Sequence, residues 1–208
     1  LLAIPIILGL CVMSLFAWHH LNTRGMAYFG RSQAERARFR RKLARFGRVL
    51  RPLMRPFRSR LADPNQFASA YDGIHVPGNA CNRETFRQAV QYQPRANDVF
   101  VVTQMKCGTT WMQQLVYELF SRGQGDLSDE GHGHMAAVSP WLESFNGVSV
   151  EDAPLIGAAR ARIIKTHLPA GLCPYDEAAK YVYVTRHPVS CFRSCADFLR
   201  ANAGPLTP

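Results

Sequence analysis

Lys106-Cys107-Gly108-Thr109-Thr110-Trp111 places an ammonium, a thiol, a glycine and two hydroxyls in consecutive positions. Where a strand turns into a helix, such a run aims successive backbone N–H groups and the positive end of a helix dipole at a doubly charged oxyanion. The glycine permits close backbone approach, and Lys106 can meet charge developing on a bridging oxygen. This is not the nucleotide P-loop Gly-x4-Gly-Lys-Ser/Thr, in which the lysine follows the glycines. Here the lysine comes first, and the absent Walker pattern argues against a P-loop kinase or nucleotidase. Two further polar clusters, Lys165-Thr166-His167 and Arg186 through Ser194, also follow apolar β-rich runs.

The elements that must hold these clusters read as alternating strands and helices. Val99 to Thr103, Arg162 to Thr166 and Tyr181 to Thr185 are β-branched and aromatic runs that predict strands. Trp111, Met112, Leu115, Val116, Leu119 and Phe120 repeat at helical spacing until Ser121-Arg122-Gly123, and Pro188 opens a helix through Phe192 and Phe198. The expected class is α/β, a parallel sheet flanked by helices, with ligands at the carboxyl ends of the strands. All three polar clusters fall at those ends. Residues 121–133 read as an exposed loop; its His132 and His134 lack a third ligand at a recognised spacing, so no metal site is assigned.

In these motifs the chain resembles the sulfotransferases that use 3′-phosphoadenosine 5′-phosphosulfate, particularly the cytosolic type. The run Thr103-Gln-Met-Lys-Cys-Gly-Thr-Thr-Trp111 is similar to their Tyr-Pro-Lys-Ser-Gly-Thr-Thr-Trp loop. Arg162-Ile-Ile-Lys-Thr-His-Leu-Pro169 and Tyr183-Val-Thr-Arg-His-Pro-Val-Ser-Cys-Phe-Arg-Ser194 follow in the family's order, and Ser139-Pro-Trp-Leu-Glu143 resembles an acceptor-pocket segment. The resemblance covers roughly residues 63–200 and implies an incomplete P-loop-like sulfotransferase fold without a metal. It implies His167 as general base, Lys106 on the leaving phosphate, and Lys165 as a sulfuryl-oxygen contact. It further implies that Cys107, Gly108, Thr109 and Thr110 cradle the 5′-phosphate, that Trp111 stacks on adenine, and that Arg186 and Ser194 bind the 3′-phosphate. Cys107 stands where the family has serine, Met105 where it has proline and Gln104 where it often has tyrosine, so the loop departs from its pattern.

Trp141, Leu142 and Phe145 suggest an apolar pocket for a small-molecule or lipid acceptor bearing a hydroxyl or amine. The family's later Arg-Lys-Gly loop would lie beyond Pro208, so the chain is read as a fragment expected to bind the donor poorly by itself. The alternative is a noncatalytic, membrane-associated adaptor with a decayed nucleotide-binding fold. Cys107 and Met105 favour it, and the joint presence of Lys106, His167, Arg186 and Ser194 opposes it.

The chain of 208 residues has 25 Lys+Arg against 15 Asp+Glu, and the excess sits in one place. Residues 1–23 carry no charged side chain, whereas Arg24 to Arg60 hold 13 basic residues against Glu35 alone. The rest is nearly neutral, which argues against a domain-wide nucleic-acid surface. The apolar run Leu1 to Trp18, about 27 Å as a helix, predicts a single-pass membrane anchor over 1–23. Residues 24–62 then read as a basic amphipathic juxtamembrane helix favouring anionic lipid, with the catalytic domain (63–208) cytoplasmic by the positive-inside rule. Residues 63–77 read as a linker. The six cysteines include no Cys-x-x-Cys pair, and reduced thiols are expected.

Overall fold

The computed structural model describes residues 9–202 except 12, 15–16, 19–20, 23–25, 55–67, 79 and 129–130. A three-stranded parallel sheet organises the domain. Its strands are β3 (Asp98–Thr103), β4 (Arg162–Thr166) and β5 (Lys180–Val184), in the order β4-β3-β5. Preceding them are β1 (Ala68–Tyr71) and β2 (Ile74–Pro77), and the helices in chain order are α1 (Met26–Phe29), α2 (Gln33–Met54), α3 (Arg83–Val90), α4 (Thr109–Ser121), α5 (Met135–Val138) and α6 (Pro188–Asn202).

Every residue of the central strand β3 is buried, so its side chains must serve two cores. Period-two alternation divides them. Phe100 and Val102, with Ile164, pack against Phe86 and Ala89 of α3 and against Leu142 and Leu168. Val99 and Val101, with Ile163, pack against Val116 and Tyr117 of α4 and against Met135 and Val138 of α5. A strand covered on both faces reads as a continuous apolar run, and Val99 to Val102 is one. The parallel registers pair Val102 with Thr166 and Thr103 with Val184, bringing the ends of all three strands to one edge.

The opposite edge is pinned by a buried charge. Asp98 is fully buried and accepts from the Tyr92 hydroxyl at 2.7 Å and the Arg95 N–H at 2.8 Å, while Arg162 Nη1 stands 3.4 Å away. Burial, then Asp98, pushes the Tyr92 phenol up to about 12. This network secures strand entry, far from the functional ends.

Several expectations are corrected. Residues 68–77, read as linker, form an antiparallel hairpin whose Asp72-Gly73 turn has positive φ at both residues, 49° and 77°. Asp-Gly suits that turn because the left-handed conformation costs Asp little and Gly nothing. The expected boundary at residues 62–63 lies outside the described residues.

The single-pass membrane protein is overturned: among the described residues, no helix is long and apolar enough to cross a membrane. Residues 1–8 of the apolar run lie outside the described residues. Its far end packs on protein. Trp18 lies against Phe39 of α2 with ring centroids 5.3 Å apart, and its carbonyl accepts from Asn22, whose side chain in turn accepts from Arg31. The basic helix forms, with Arg38, Arg40, Arg41, Lys42, Arg45 and Arg48 exposed and one arginine turned inward. Arg36 is buried, donating to the carbonyls of Phe29, Arg31 and Gly133, so its guanidinium clamps α2 to the segment before α5. His134 caps α5 by accepting from the Ala136 N–H and rests on Phe29, which accounts for one histidine of the His-x-His pair.

The helical stripe expected for α4 also divides. Val116 is buried and Met112 and Phe120 are partly so, but Trp111, Leu115 and Leu119 are exposed. The core is reached through Thr109, Gln113, Val116 and Tyr117 instead.

Candidate functional site

Three turns leave the strand ends, and their local conformations follow from their residues. After β3, Lys106 adopts φ 65° and Gly108 φ 96°, and Gly108 N-caps α4 without a side-chain bond. A Cβ at Gly108 would meet nothing within 4 Å, so glycine is required for its backbone angle, and open space lies over it. The first-turn N–H groups of α4 have no partners inside the helix. Positive φ at Lys106 and Gly108 curls the turn into a nest, in which the Cys107 N–H is already given to the Gln104 carbonyl at 3.3 Å.

The loop is tied inward through a hydroxyl chain. Thr103 Oγ1 lies 2.6 Å from Thr109 Oγ1 and 3.2 Å from His167 Nδ1. The same imidazole nitrogen is 2.7 Å from the Thr103 carbonyl oxygen. That carbonyl can only accept, so Nδ1 carries the hydrogen and Nε2 keeps its lone pair. Burial first, then the Lys165 ammonium, depresses His167 to about 4, against the smaller opposing pull of the Thr103 carbonyl. At neutral pH the ring is therefore an uncharged proton acceptor.

His167 and Lys165 leave β4 on a scaffold made by Pro140 to Glu143. Lys165 donates its N–H to the Pro140 carbonyl and accepts from the Leu142 N–H, both at 2.8 Å, which lays this segment along β4. Trp141 then meets the His167 ring edge-on at 5.2 Å, and the Lys165 ammonium sits 3.9 Å over the Trp141 ring centroid. Burial lowers Lys165 to about 8, with Glu143 opposing. Glu143 is itself buried, accepting from the Thr166 hydroxyl at 2.9 Å and the His167 N–H at 2.7 Å. Burial pushes its carboxyl up; Trp141, then those two donors, pull it back. Glu143 thus holds the Lys165-Thr166-His167 turn from below. Sequence reasoning quoted it within a motif and gave it no role. The available signal was a lone acid in an otherwise apolar Pro-Trp-Leu-Glu run.

The third turn lies across the loop. Arg186 is exposed and donates to the Lys106 carbonyl at 3.1 Å, so it braces the nest from β5. Ser194 lies on α6, partly buried. Lys106 does not point toward His167 in a bonded contact; its ammonium lies 4.1 Å over the Phe198 ring of α6. Thr109 is buried and its hydroxyl faces Thr103, whereas Thr110 and Trp111 are exposed.

The site residues read from sequence thus form two adjoining groups: His167, Lys165 and Trp141 on one side, and Lys106, Cys107, Gly108 and Arg186 on the other. Thr103 and Thr109 join them. A model of the sulfotransferase domain matches residues 96–206. The chain belongs to the sulfotransferase domain family. Its residues 96–206 contain all three turns and the Pro140 to Glu143 scaffold.

Among the family's characterised proteins, the chain is similar to sulfotransferase 1C2 of Oryctolagus cuniculus, 28% identical over 131 residues that cover 61% of this chain and 44% of the relative. It is also similar to cytosolic sulfotransferase 13 of Arabidopsis thaliana, 26% identical over 142 residues, 65% of this chain and 41% of the relative. A crystal structure of mouse sulfotransferase SULT7A1 complexed with PAP aligns with a TM-score of 0.47 at 19% identity, covering 68% of this chain and 46% of that one. The chain spans about two fifths of the length of the curated relatives it matches.

Proposed function

We propose that this domain provides the donor loop and the base of an enzyme that moves a sulfuryl group from 3′-phosphoadenosine 5′-phosphosulfate to a hydroxyl or amine of a small acceptor. The observation that carries the reading is the bond between His167 Nδ1 and the Thr103 carbonyl. It leaves Nε2 as the basic atom, and it originates on the residue that also touches the anion loop through Thr109.

The acceptor's oxygen or nitrogen attacks sulfur in line as its proton passes to His167 Nε2. The bond from sulfur to the bridging phosphate oxygen breaks, and its electron pair stays on that oxygen. Lys106 neutralises the growing charge. To do so it leaves Phe198, which costs little, since an exposed cation–π contact is worth about 0.5–1 kcal/mol. The amides of Gly108, Thr109 and Thr110 hold the 5′-phosphate, and Lys165 reaches a sulfuryl oxygen from its place over Trp141. Arg186 has spent one of its donors on the loop and offers the rest of its fork to the 3′-phosphate, together with Ser194. Trp111 stands exposed for adenine, and Trp141 lines the acceptor side.

The test uses the full-length protein and its His167→Ala variant. Donor-dependent labelling of a panel of phenols, alcohols and amines should occur with the wild type and vanish with the variant. Calorimetric binding of 3′,5′-adenosine bisphosphate should be nearly equal in both. A variant that keeps wild-type turnover would show that the base is elsewhere.

A further inference from the structure

Cys107, at the centre of the anion loop, and Cys191, in the first turn of α6, are 84 positions apart in sequence, yet their sulfurs lie 3.3 Å apart. Both are free thiols. A disulfide needs about 2.05 Å, so closing the gap asks for a little over 1 Å of relative movement. The two segments are already braced nearby: Arg186 donates to the Lys106 carbonyl, and the Cys191 N–H bonds to His187 in the opening turn of α6.

We propose that Cys107 and Cys191 form a reversible disulfide that draws the anion loop onto α6 and weakens binding of the phosphorylated donor. The first half stands on the thiol geometry; the second rests on the donor-site reading above.

The two sulfurs differ in access. Cys107 is buried and Cys191 is partly exposed, so a diffusible hydroperoxide meets Cys191 first. The Cys191 thiolate attacks the peroxide, the O–O bond breaks, an alcohol or water leaves, and sulfur is oxidised by two electrons to a sulfenic acid. Cys107 sulfur then attacks Cys191 sulfur, and the departing hydroxide takes the Cys107 proton as water. In sum, two thiols and one hydroperoxide give a disulfide, an alcohol and water. Burial, then the neighbouring Cys191, pushes the Cys107 thiol up, which suits the resolving partner better than the attacking one. A small thiol reductant reverses the bond by exchange.

The consequence for binding follows from where Cys107 lies. Its amide lies between the left-handed Lys106 and Gly108 and donates to the Gln104 carbonyl at 3.3 Å, a bond that sets how the following N–H groups face. Pulling its side chain toward α6 turns that amide away from the position set by its neighbours. Because an anion cradle works through several N–H groups converging on one centre, a shift of about 1 Å spoils more than one bond.

The experiment treats the full-length protein with hydrogen peroxide, alkylates the remaining thiols and digests with trypsin without reductant. Cleavage puts Cys107 in residues 107–122, Cys191 in 187–193 and Cys195 in 194–200, so mass spectrometry distinguishes the pairs. The expected result is a 107–191 linked peptide, lost on reduction, with affinity for 3′,5′-adenosine bisphosphate at least tenfold lower in the oxidised protein and restored by reductant. Cys191→Ser should bind like the reduced wild type and resist peroxide. Recovery of both thiols unlinked, or a link of either to Cys195 alone, overturns the pairing. A link formed in full with affinity unchanged overturns the gate. Failure of the reduced protein to bind the nucleotide at all would instead defeat the donor-site reading, and the gate with it, while peptide mapping still decides the pair.

Discussion

The imidazole of His167 is held by the main chain of a neighbouring strand: its Nδ1 lies 2.7 Å from the carbonyl oxygen of Thr103. Thr103 ends β3 and His167 directly follows β4, so the parallel pairing that sets Val102 beside Thr166 also fixes the ring. Backbone carbonyls of a buried strand do not move independently of the sheet. The tautomer is thus a property of the fold, and Nε2 is basic before any ligand arrives.

His167 should leave a signature in acid stability. Its folded value of about 4 lies below the ordinary 6.5, so between these values the unfolded chain takes up a proton that the folded chain refuses. The stabilisation is complete above about pH 6.5 and is lost as pH falls toward 4, with an upper bound of about 3 kcal/mol. His167→Asn keeps a donor for Thr103 and does not titrate. Urea denaturation at pH 7 and pH 4.5 should show a smaller acid loss in the variant than in the wild type, and turnover should disappear. An unchanged difference between the two pH values would mean that the ring is not the buried neutral group described here.

The parts of this arrangement that could be read from sequence are those written in neighbouring residues. Lys106 to Trp111 announces a strand-to-helix turn because a glycine, small hydroxyl residues and the flanking periodicities lie together, and the same holds for the strands that end at Thr166 and Val184. Contacts between distant residues leave no such trace. Nothing near Glu143 says that it will cap the His167 N–H, and nothing near Cys107 points to Cys191. The apolar run before Trp18 misled for a related reason. Length and hydropathy measure transfer out of water and do not name the partner: Trp18 packs on Phe39, while Leu10 and Met13 stay exposed. Asp72-Gly73 carried a legible turn signal, but the polar and proline residues before it gave residues 63–77 the look of a tether.

Lys165 should set an alkaline limit. Its proposed contact with the sulfuryl group needs an ammonium, and burial lowers its value to about 8. In the free protein kcat/KM should fall above about pH 8, approaching tenfold per pH unit. Lys165→Arg stays charged and can still lie over Trp141, so it should remove this limb even if its absolute rate is lower. A limb that persists unaltered in the arginine variant would exclude Lys165 as its source.

Trp111 separates a binding role from a packing role. The side chain is 70% exposed, so Trp111→Ala should change stability by no more than about 0.5 kcal/mol. Loss of base stacking, about 1–3 kcal/mol by the behaviour of aromatic platforms, would weaken 3′,5′-adenosine bisphosphate about 5- to 160-fold. Paired calorimetry and thermal denaturation read both quantities. A destabilised variant with normal nucleotide affinity would return Trp111 to the core.

Glu143 couples the two groups to which the proposed chemistry is assigned. Its oxygens accept from the His167 N–H and the Thr166 hydroxyl, and its charge opposes the depression of Lys165. Glu143→Ala strands two buried donors and should cost about 2–5 kcal/mol, enough to obscure any effect on catalysis. Glu143→Gln is the sharper probe. Its carbonyl can still receive the His167 N–H while its amide faces the Thr166 oxygen, so the fold should hold with a loss of about 1 kcal/mol. With the charge gone, Lys165 loses its opposing partner, and the alkaline limb of kcat/KM should move below about pH 8 together with a fall in kcat. A purely structural carboxyl would lower stability and leave the position of that limb where it was. The pH at which the limb falls therefore decides whether Glu143 tunes the site or only supports it.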